Sequence, residues 1–238
     1  MTAPTTAMVL AAGLGTRMRP LTDDRPKALV EVAGRTLIDH MLDRLAEAGA
    51  SDAVVNVHYF ADRLEAHLKQ RAHPRIIISD ERDLLLETAG GLKKARTLLG
   101  EAPIWAANID SVWTEGATSA LKALAQAWDP DRMDACLLLA PLERTLGFDG
   151  AGDFFLGQDG RLTHRGQAPA APYAYIGVQI IKPQAVDDGP EGPFSLFGTW
   201  MKMIAQGRLY GVVMDGFWMH VGDPQAVRDA EAKLAEHR

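Results

Sequence analysis

The string Leu10-Ala11-Ala12-Gly13-Leu14-Gly15-Thr16-Arg17-Met18-Arg19-Pro20-Leu21-Thr22, followed by Arg25-Pro26-Lys27, gathers glycines and cations within a short span. Gly13 and Gly15 let the backbone approach a ligand with no Cβ in the way. Successive N–H groups of such a turn can hold phosphate oxygens. Arg17 adds a planar multi-donor cation and Lys27 a compact mobile one. A nucleoside triphosphate asks for this combination. Gly13-Leu14-Gly15 is neither a Walker loop nor a full dinucleotide fingerprint, so on its own it is a weak signal. Arg19 and Arg25 read equally well as solvated surface charges.

Further along, Asp110 follows an apolar run, where a carboxylate suits Mg²⁺, a hard cation that prefers oxygen. The competing reading of Asp110 is a helix cap. Ile109 is β-branched and excludes a left-handed turn at that position. His220 is a neutral imidazole that suits Mg²⁺ poorly. Three roles stay open for it: ligand of a softer ion such as Mn²⁺, direct phosphate contact, or structure alone. Gly90 and Gly91 are poor helix formers, so the pair implies either close approach of something flat or tight helix–sheet packing.

The elements needed to position these residues are legible as alternating apolar runs and amphipathic segments. Ala7-Met8-Val9-Leu10 reads as a first strand, with the glycine turn at its carboxyl end. Leu37, Ile38, Met41, Leu42 and Leu45 keep helical spacing, and Gly49 ends that helix. Strands follow at 53–57, 75–79, 103–107 and 135–139. Helices are expected around Leu64 and Leu68, from a Thr88 cap through Leu92, Ala95, Leu98 and Leu99, and along Leu121, Leu124 and Trp128. Such alternation implies right-handed crossovers and a mainly parallel sheet. After about residue 150 the pattern becomes β-rich: a hairpin at 154–163, a long strand at 173–181, a helix at 194–204, and a last helix capped by Asp223-Pro224. The fold expected is α/β, a Rossmann-like mainly parallel sheet flanked by helices with a small β-rich insertion in its second half. Ligands of open α/β sheets bind at the carboxyl ends of strands.

Composition narrows the function. The 238 residues carry a net charge of −6, which weighs against a nucleic-acid binder. Cys136, the single cysteine, lies in an apolar run and reads as a buried hydrophobe in a reducing compartment. No apolar run is long enough to span a membrane, and no Lys or Arg precedes Arg17 to form a signal's basic region. A cytoplasmic location is expected. No feature sets an oligomeric state.

The first string, taken whole, resembles the leading motif of the sugar-1-phosphate nucleotidylyltransferases. The resemblance continues through Ala28-Leu29-Val30, Gly34-Arg35-Thr36-Leu37-Ile38, Leu86-Glu87-Thr88-Ala89-Gly90-Gly91, Asn108-Ile109-Asp110, Tyr175-Ile176-Gly177-Val178 and Trp218-Met219-His220-Val221-Gly222-Asp223-Pro224, nearly the whole chain. The short chain is most similar to the compact N-acetylmuramate-1-phosphate uridylyltransferases of cell-wall recycling, with mannose-1-phosphate guanylyltransferases next. The resemblance implies one domain over 1–238, with a nucleotide-binding part at 1–150 and a sugar-phosphate-binding part at 151–238.

It also implies a reaction. A sugar-1-phosphate oxygen attacks the α-phosphorus of an NTP, UTP being favoured, and pyrophosphate leaves. Arg17 would hold the departing phosphates, Lys27 would screen the two reactants from each other, and Asp110 would hold Mg²⁺. Leu10, Ala11, Ala12, Gly13, Gly15, Thr16, Thr88, Gly90 and Asn108 would bind the nucleotide, with Glu87 nearby. Asp153, Tyr175 and Gly177 would line the sugar side, although Asp153 could equally start the hairpin. His220 stands where relatives carry a second metal-binding Asp, so of its three open roles the metal one would make it a second ligand, with Mn²⁺ then the ion it suits; otherwise Asp110 would hold a single Mg²⁺. GTP with mannose 1-phosphate is the alternative substrate pair. A nucleotide-binding regulator without catalysis is the alternative from another class, supported only by Ile109 and His220.

Overall fold

In the computed structural model, which describes residues 3–236, the apolar runs become nine strands of one sheet. They are β1 (Thr6–Leu10), β2 (Asp52–Val57), β3 (Arg75–Asp80), β4 (Ile104–Asn108), β5 (Ala135–Pro141), β6 (Phe154–Leu156), β7 (Leu162–His164), β8 (Tyr173–Ile181) and β9 (Leu209–Val213). Side chains alternate across a strand, and β1 shows the result. Ala7 and Val9 enter one core, Met8 the other. The first core packs α1 (Leu37–Glu47), α2 (Ala61–Leu68), α5 (Ala120–Ala127) and α7 (Pro224–Ala235) against the sheet. The second packs α3 (Glu87–Lys94), α4 (Arg96–Leu99) and α6 (Leu196–Ala205). The molecule is therefore a three-layer α/β/α sandwich.

α1 shows how sequence becomes packing. The Thr36 side chain accepts from Asp39 N at its start, and Leu37, Ile38, Met41, Leu42 and Leu45 are all buried. Each such side chain contributes about 1.5–3 kcal/mol on burial. Truncating one, as in Leu42→Ala, costs about 2–5 kcal/mol.

The sheet order is β3-β2-β1-β4-β8-β5-β9, with the β6–β7 hairpin on the amino end of β8. β3, β2, β1 and β4 run parallel; β8 enters antiparallel between β4 and β5, and β9 returns parallel to β5. The second half of the chain thus extends the sheet built by the first. Leu10 pairs with Asn108, so the loops after β1 and β4 leave the same edge side by side. This is the switch point at which open α/β sheets take ligands.

Several elements differ from the sequence reading. The expected helix from Thr88 is two pieces, and Thr88 lies inside α3, whose cap is Leu86. Glu87 opens it at φ 60°, and the Thr88 hydroxyl instead accepts from Leu196 N. Ser111–Thr114 and Phe217–His220 form an unforeseen antiparallel pair, with Thr145–Leu146 added to the latter. Leu209–Val213 is also an unforeseen strand. Cys136 is buried in β5, and that burial pushes its thiol up to about 12. No helix among the described residues is long and apolar enough to cross a membrane.

Candidate active site

A cavity of about 420 Å³ opens at the carboxyl edge of β1 and β4. Leu10, Ala11, Ala12, Gly13, Gly15, Thr16, Arg17, Lys27, Thr88, Asn108 and Asp110 all line it. The glycines have different reasons for their places. A Cβ on Gly13 would meet nothing within 4 Å, so the chain there borders open cleft. Gly15 is left-handed at φ 64°, and a Cβ would lie 3.0 Å from the Lys27 Cβ, so it seats the lysine. The expected run of free amides is shorter than the sequence implied. Ala11 N and Ala12 N donate to Asn56 Oδ1 at 2.6 and 3.2 Å. Among the described residues, the amides of Gly13, Leu14 and Gly15 make no such bond and remain for an anion. Arg17 is exposed with no ion pair or hydrogen bond among them, its Nη1 beside Gly222. Arg19 and Arg25 are surface charges, paired with Asp23 and Asp24.

Asp110 is the electrostatic centre. Its segment continues as a strand, not a helix, which removes the capping role. Ser111 pairs with His220 in that strand register, and Val221 N donates to Asp110 O at 2.8 Å, which brings the carboxylate and the imidazole together. Lys27 Nζ donates to Asp110 Oδ2 at 2.8 Å, with the lysine side chain 11% and the aspartate 23% exposed. Burial works against the Asp110 charge, but His220 and the Lys27 cation hold its carboxyl far below the usual carboxylate range. Ile109 keeps φ negative and is buried beneath the turn, so this chain uses no left-handed residue there.

His220 Nε2 lies 3.5 Å from Asp110 Oδ2 and its Nδ1 3.1 Å from Gly147 O. Both ring nitrogens face oxygens, which suits a doubly protonated donor, and the Asp110 contact raises its pKa. In this arrangement the ring is engaged by protein oxygens on both sides, with its Nε2 beside the Asp110 carboxylate. No group of three His, Cys, Asp or Glu side chains among the described residues could cage a metal.

A second, smaller cavity of about 150 Å³ meets the first at Asn108 and Asp110. Tyr175, Ile176, Gly177, Phe148, Trp218 and His220 complete its walls. A register shift in β8 between Tyr175 and Gln179 sets this wall. Gly177 sits in it at φ 85°, where a Cβ would press on Asn108 at 3.1 Å and Ser111 Oγ at 3.2 Å. Asp153 lines neither cavity. Its Oδ2 accepts from Tyr175 N at 2.9 Å, so it braces the strand that carries the wall.

Gly90 also lies outside the cleft lining. Ala89 N and Gly90 N donate to Phe194 O, and a Cβ on Gly90 would sit 2.6 Å from Gly192 O. Close approach of the 192–194 chain accounts for a glycine at this position. Sequence reasoning missed Asn56, Leu85 and Ser195, all in the lining, and gave Gly222 no role there. Asn56 alone carried a signal, as the one polar residue in the apolar run 53–57.

Residues 6–140, more than half the chain, match the family model described as Nucleotidyl transferase. The chain belongs to the nucleotidyl transferase family. It is therefore an enzyme of nucleotidyl transfer. An N-acetylmuramate alpha-1-phosphate uridylyltransferase from Caulobacter vibrioides is 60% identical over 98% of each chain. One of the same name from Neisseria meningitidis is 32% identical, covering 95% of this chain and 96% of that one. A mannose-1-phosphate guanylyltransferase catalytic subunit beta from Drosophila melanogaster is 29% identical over 93% of this chain and 60% of its own length. Among solved structures, an inositol-1-phosphate CTP transferase from T. maritima superposes with TM-score 0.78 at 17% identity, covering 98% and 97% of the two chains. A UDP-glucose pyrophosphorylase complexed with UDP-glucose does so at 0.78 and 16%, over all of both chains. These structural likenesses show the fold.

Proposed function

We propose that the enzyme transfers the uridylyl group of UTP to the phosphate of N-acetylmuramate 1-phosphate, giving the UDP-sugar and pyrophosphate. The observation that carries this reading is the meeting of two cavities at Asn108 and Asp110, a larger one with the glycine turn and cations and a smaller one walled by Tyr175 and Trp218. The 60% identity to a relative of that name supports the substrate pair.

In this reading the nucleotide lies along the glycine turn. A phosphate oxygen of the sugar attacks the α-phosphorus from the smaller cavity. As that P–O bond forms, the bond to the β-phosphate bridging oxygen breaks, and its electrons leave with pyrophosphate. Both reactants are anions, so positioning and charge compensation are the protein's main task. Arg17, exposed and unpaired among the described residues, holds the leaving phosphates. Lys27, at the junction, screens the α-phosphate from the incoming one.

Mg²⁺ fits this donor set. Asp110 Oδ1 has no hydrogen-bond partner among the described residues, leaving one hard oxygen for a cation. Mg²⁺ is commonly held by one or two carboxylates, with substrate phosphates and water completing its shell. When bound, it supplies positive charge that stabilises the phosphate oxygens. His220, held between Asp110 and Gly147, orients the carboxylate.

The test is a matrix of UTP, GTP, CTP and dTTP against N-acetylmuramate, mannose and N-acetylglucosamine 1-phosphates, with Mg²⁺, read by pyrophosphate release. UTP with N-acetylmuramate 1-phosphate is expected to be the best pair. A best rate with GTP and mannose 1-phosphate would transfer the assignment to that pair. Nucleotide binding without turnover on any pair would refute both substrate assignments.

A further inference from the structure

Glu81, the residue after β3, is fully buried and lines neither cavity of the site. Its two carboxylate oxygens serve two different walls of the larger one. Oε1 accepts from Asn56 Nδ2 at 2.9 Å, and Oε2 accepts from Leu86 N at 3.4 Å. Asn56 passes the contact on, since its Oδ1 takes both Ala11 N and Ala12 N. Leu86 immediately precedes Glu87 and Thr88, which line the opposite wall. Gly91 leaves room for the pair: a Cβ there would lie 3.0 Å from Glu81 Oε1 and 3.1 Å from Asn56 Nδ2.

The polarity of this chain of bonds is fixed. With its NH₂ accepted by Glu81, Asn56 presents its oxygen to the two amides and leaves no buried donor unpaired. A neutral side chain at 81 could flip the Asn56 amide and turn donors against donors. Burial pushes the Glu81 carboxyl up, with Asn56 and Leu86 pulling the other way, so the site holds this group against its desolvation cost. We propose that Glu81 is a positioning residue for the nucleotide: through Asn56 it fixes the turn at Ala11 and Ala12, and through the Leu86 amide it fixes the facing wall. The proposal rests on the reading that this cleft takes an NTP.

Three variants test it. Glu81→Gln keeps the shape but offers one acceptor where two donors wait. Asn56→Asp sets a carboxylate oxygen where Nδ2 now stands, 2.9 Å from Glu81 Oε1. The double variant Asn56→Asp/Glu81→Gln reverses the central bond: the new amide at position 81 donates to the new carboxylate at position 56, which still accepts from Ala11 N and Ala12 N. It also keeps the total charge.

Hydrogen exchange of the Ala11 and Ala12 amides is read on ligand-free protein, beside KM for UTP and for the sugar phosphate. Each single variant should speed exchange and raise KM for UTP about tenfold, the scale of one buried donor left unpaired, with KM for the sugar phosphate within about twofold. The double variant should return both readouts to within about threefold of wild type, a coupling that independent damage at two sites does not produce. Unchanged exchange and KM in Glu81→Gln would overturn the proposal. So would a double variant no better than the two single effects combined, or equal rises in KM for both substrates. Exchange that responds and recovers in a protein that binds no nucleotide would support the relay as a brace of the turn. That result would instead refute the cleft's reading as an NTP site.

Discussion

Replacing Lys27 with Met keeps the buried stem and removes only the charge. In the structure Lys27 Nζ donates to Asp110 Oδ2 at 2.8 Å, and the Lys27 Cβ packs where a Cβ on Gly15 would come within 3.0 Å. The stem therefore belongs to the seat of the glycine turn, and Lys27→Ala would confound lost packing with lost charge. Losing one well-placed charged donor from a transition state costs about 10²–10³ in turnover, or about 2.7–4 kcal/mol. Met should show that loss in kcat with both KM values changed less than about threefold, because the lysine acts where the two phosphates meet. Stability should fall by less than the about 3–5 kcal/mol of a broken fully buried pair, since Asp110 keeps His220 at 3.5 Å and faces the cavity. The assay is pyrophosphate release at saturating substrates, with urea unfolding alongside. Turnover within about threefold of wild type in folded Lys27→Met would refute the assigned role.

Gly177→Ala forces a side chain into φ 85° and onto Asn108 at 3.1 Å; it should lose about 1–2 kcal/mol from the backbone alone and raise KM for the sugar phosphate, measured by thermal melts and kinetics. Asp223→Ala removes the side chain that accepts from Gln225 N and Ala226 N at the start of α7, and should cost about 0.5–2 kcal/mol in urea unfolding. Asp134 ties Lys182 and Arg208 together beside β5; burial opposes its charge, but hydrogen bonds from Arg208 and Lys182 lower its pKa. A folded pKa below the unfolded one gives stability that is complete above about pH 5 and lost as pH falls through the folded value. Asp134→Asn should therefore melt earlier than wild type at pH 7, with the gap narrowing as pH falls below the unfolded carboxyl's range; a gap independent of pH would contradict this.

Local pattern carried much of this architecture. The long strand β8 runs Tyr173–Ile181 as its apolar run indicates, and the Asp223-Pro224 start of α7 is written in two adjacent residues. What local pattern could not supply is pairing at a distance. Phe217–His220 is short, and only its partner at Ser111–Thr114 makes it a strand. Gly90 was noticeable as a poor helix former, but its neighbour is the 192–194 chain, remote in sequence. Thr88 has the chemistry of a helix cap, yet a left-handed Glu87 starts the helix one residue earlier and leaves the hydroxyl to Leu196 N. For the site, the glycine turn, Arg17, Lys27 and Asp110 were legible because their types and spacing carry charge and backbone freedom. The Asp153 carboxylate offered no such distinction: binding a sugar hydroxyl and holding a strand amide use the same oxygen.

The insertion of β8 between β4 and β5 has a consequence for synthesis. While the polypeptide emerges from the ribosome, the first four parallel strands can assemble in order, but the strand that joins β4 to β5 is made only after both. Asp110 waits longer still for His220, which is made only after all nine strands of the sheet. A nascent chain can thus own its glycine turn early while its acidic centre stays half-built, so a prematurely terminated product would be an incomplete catalyst.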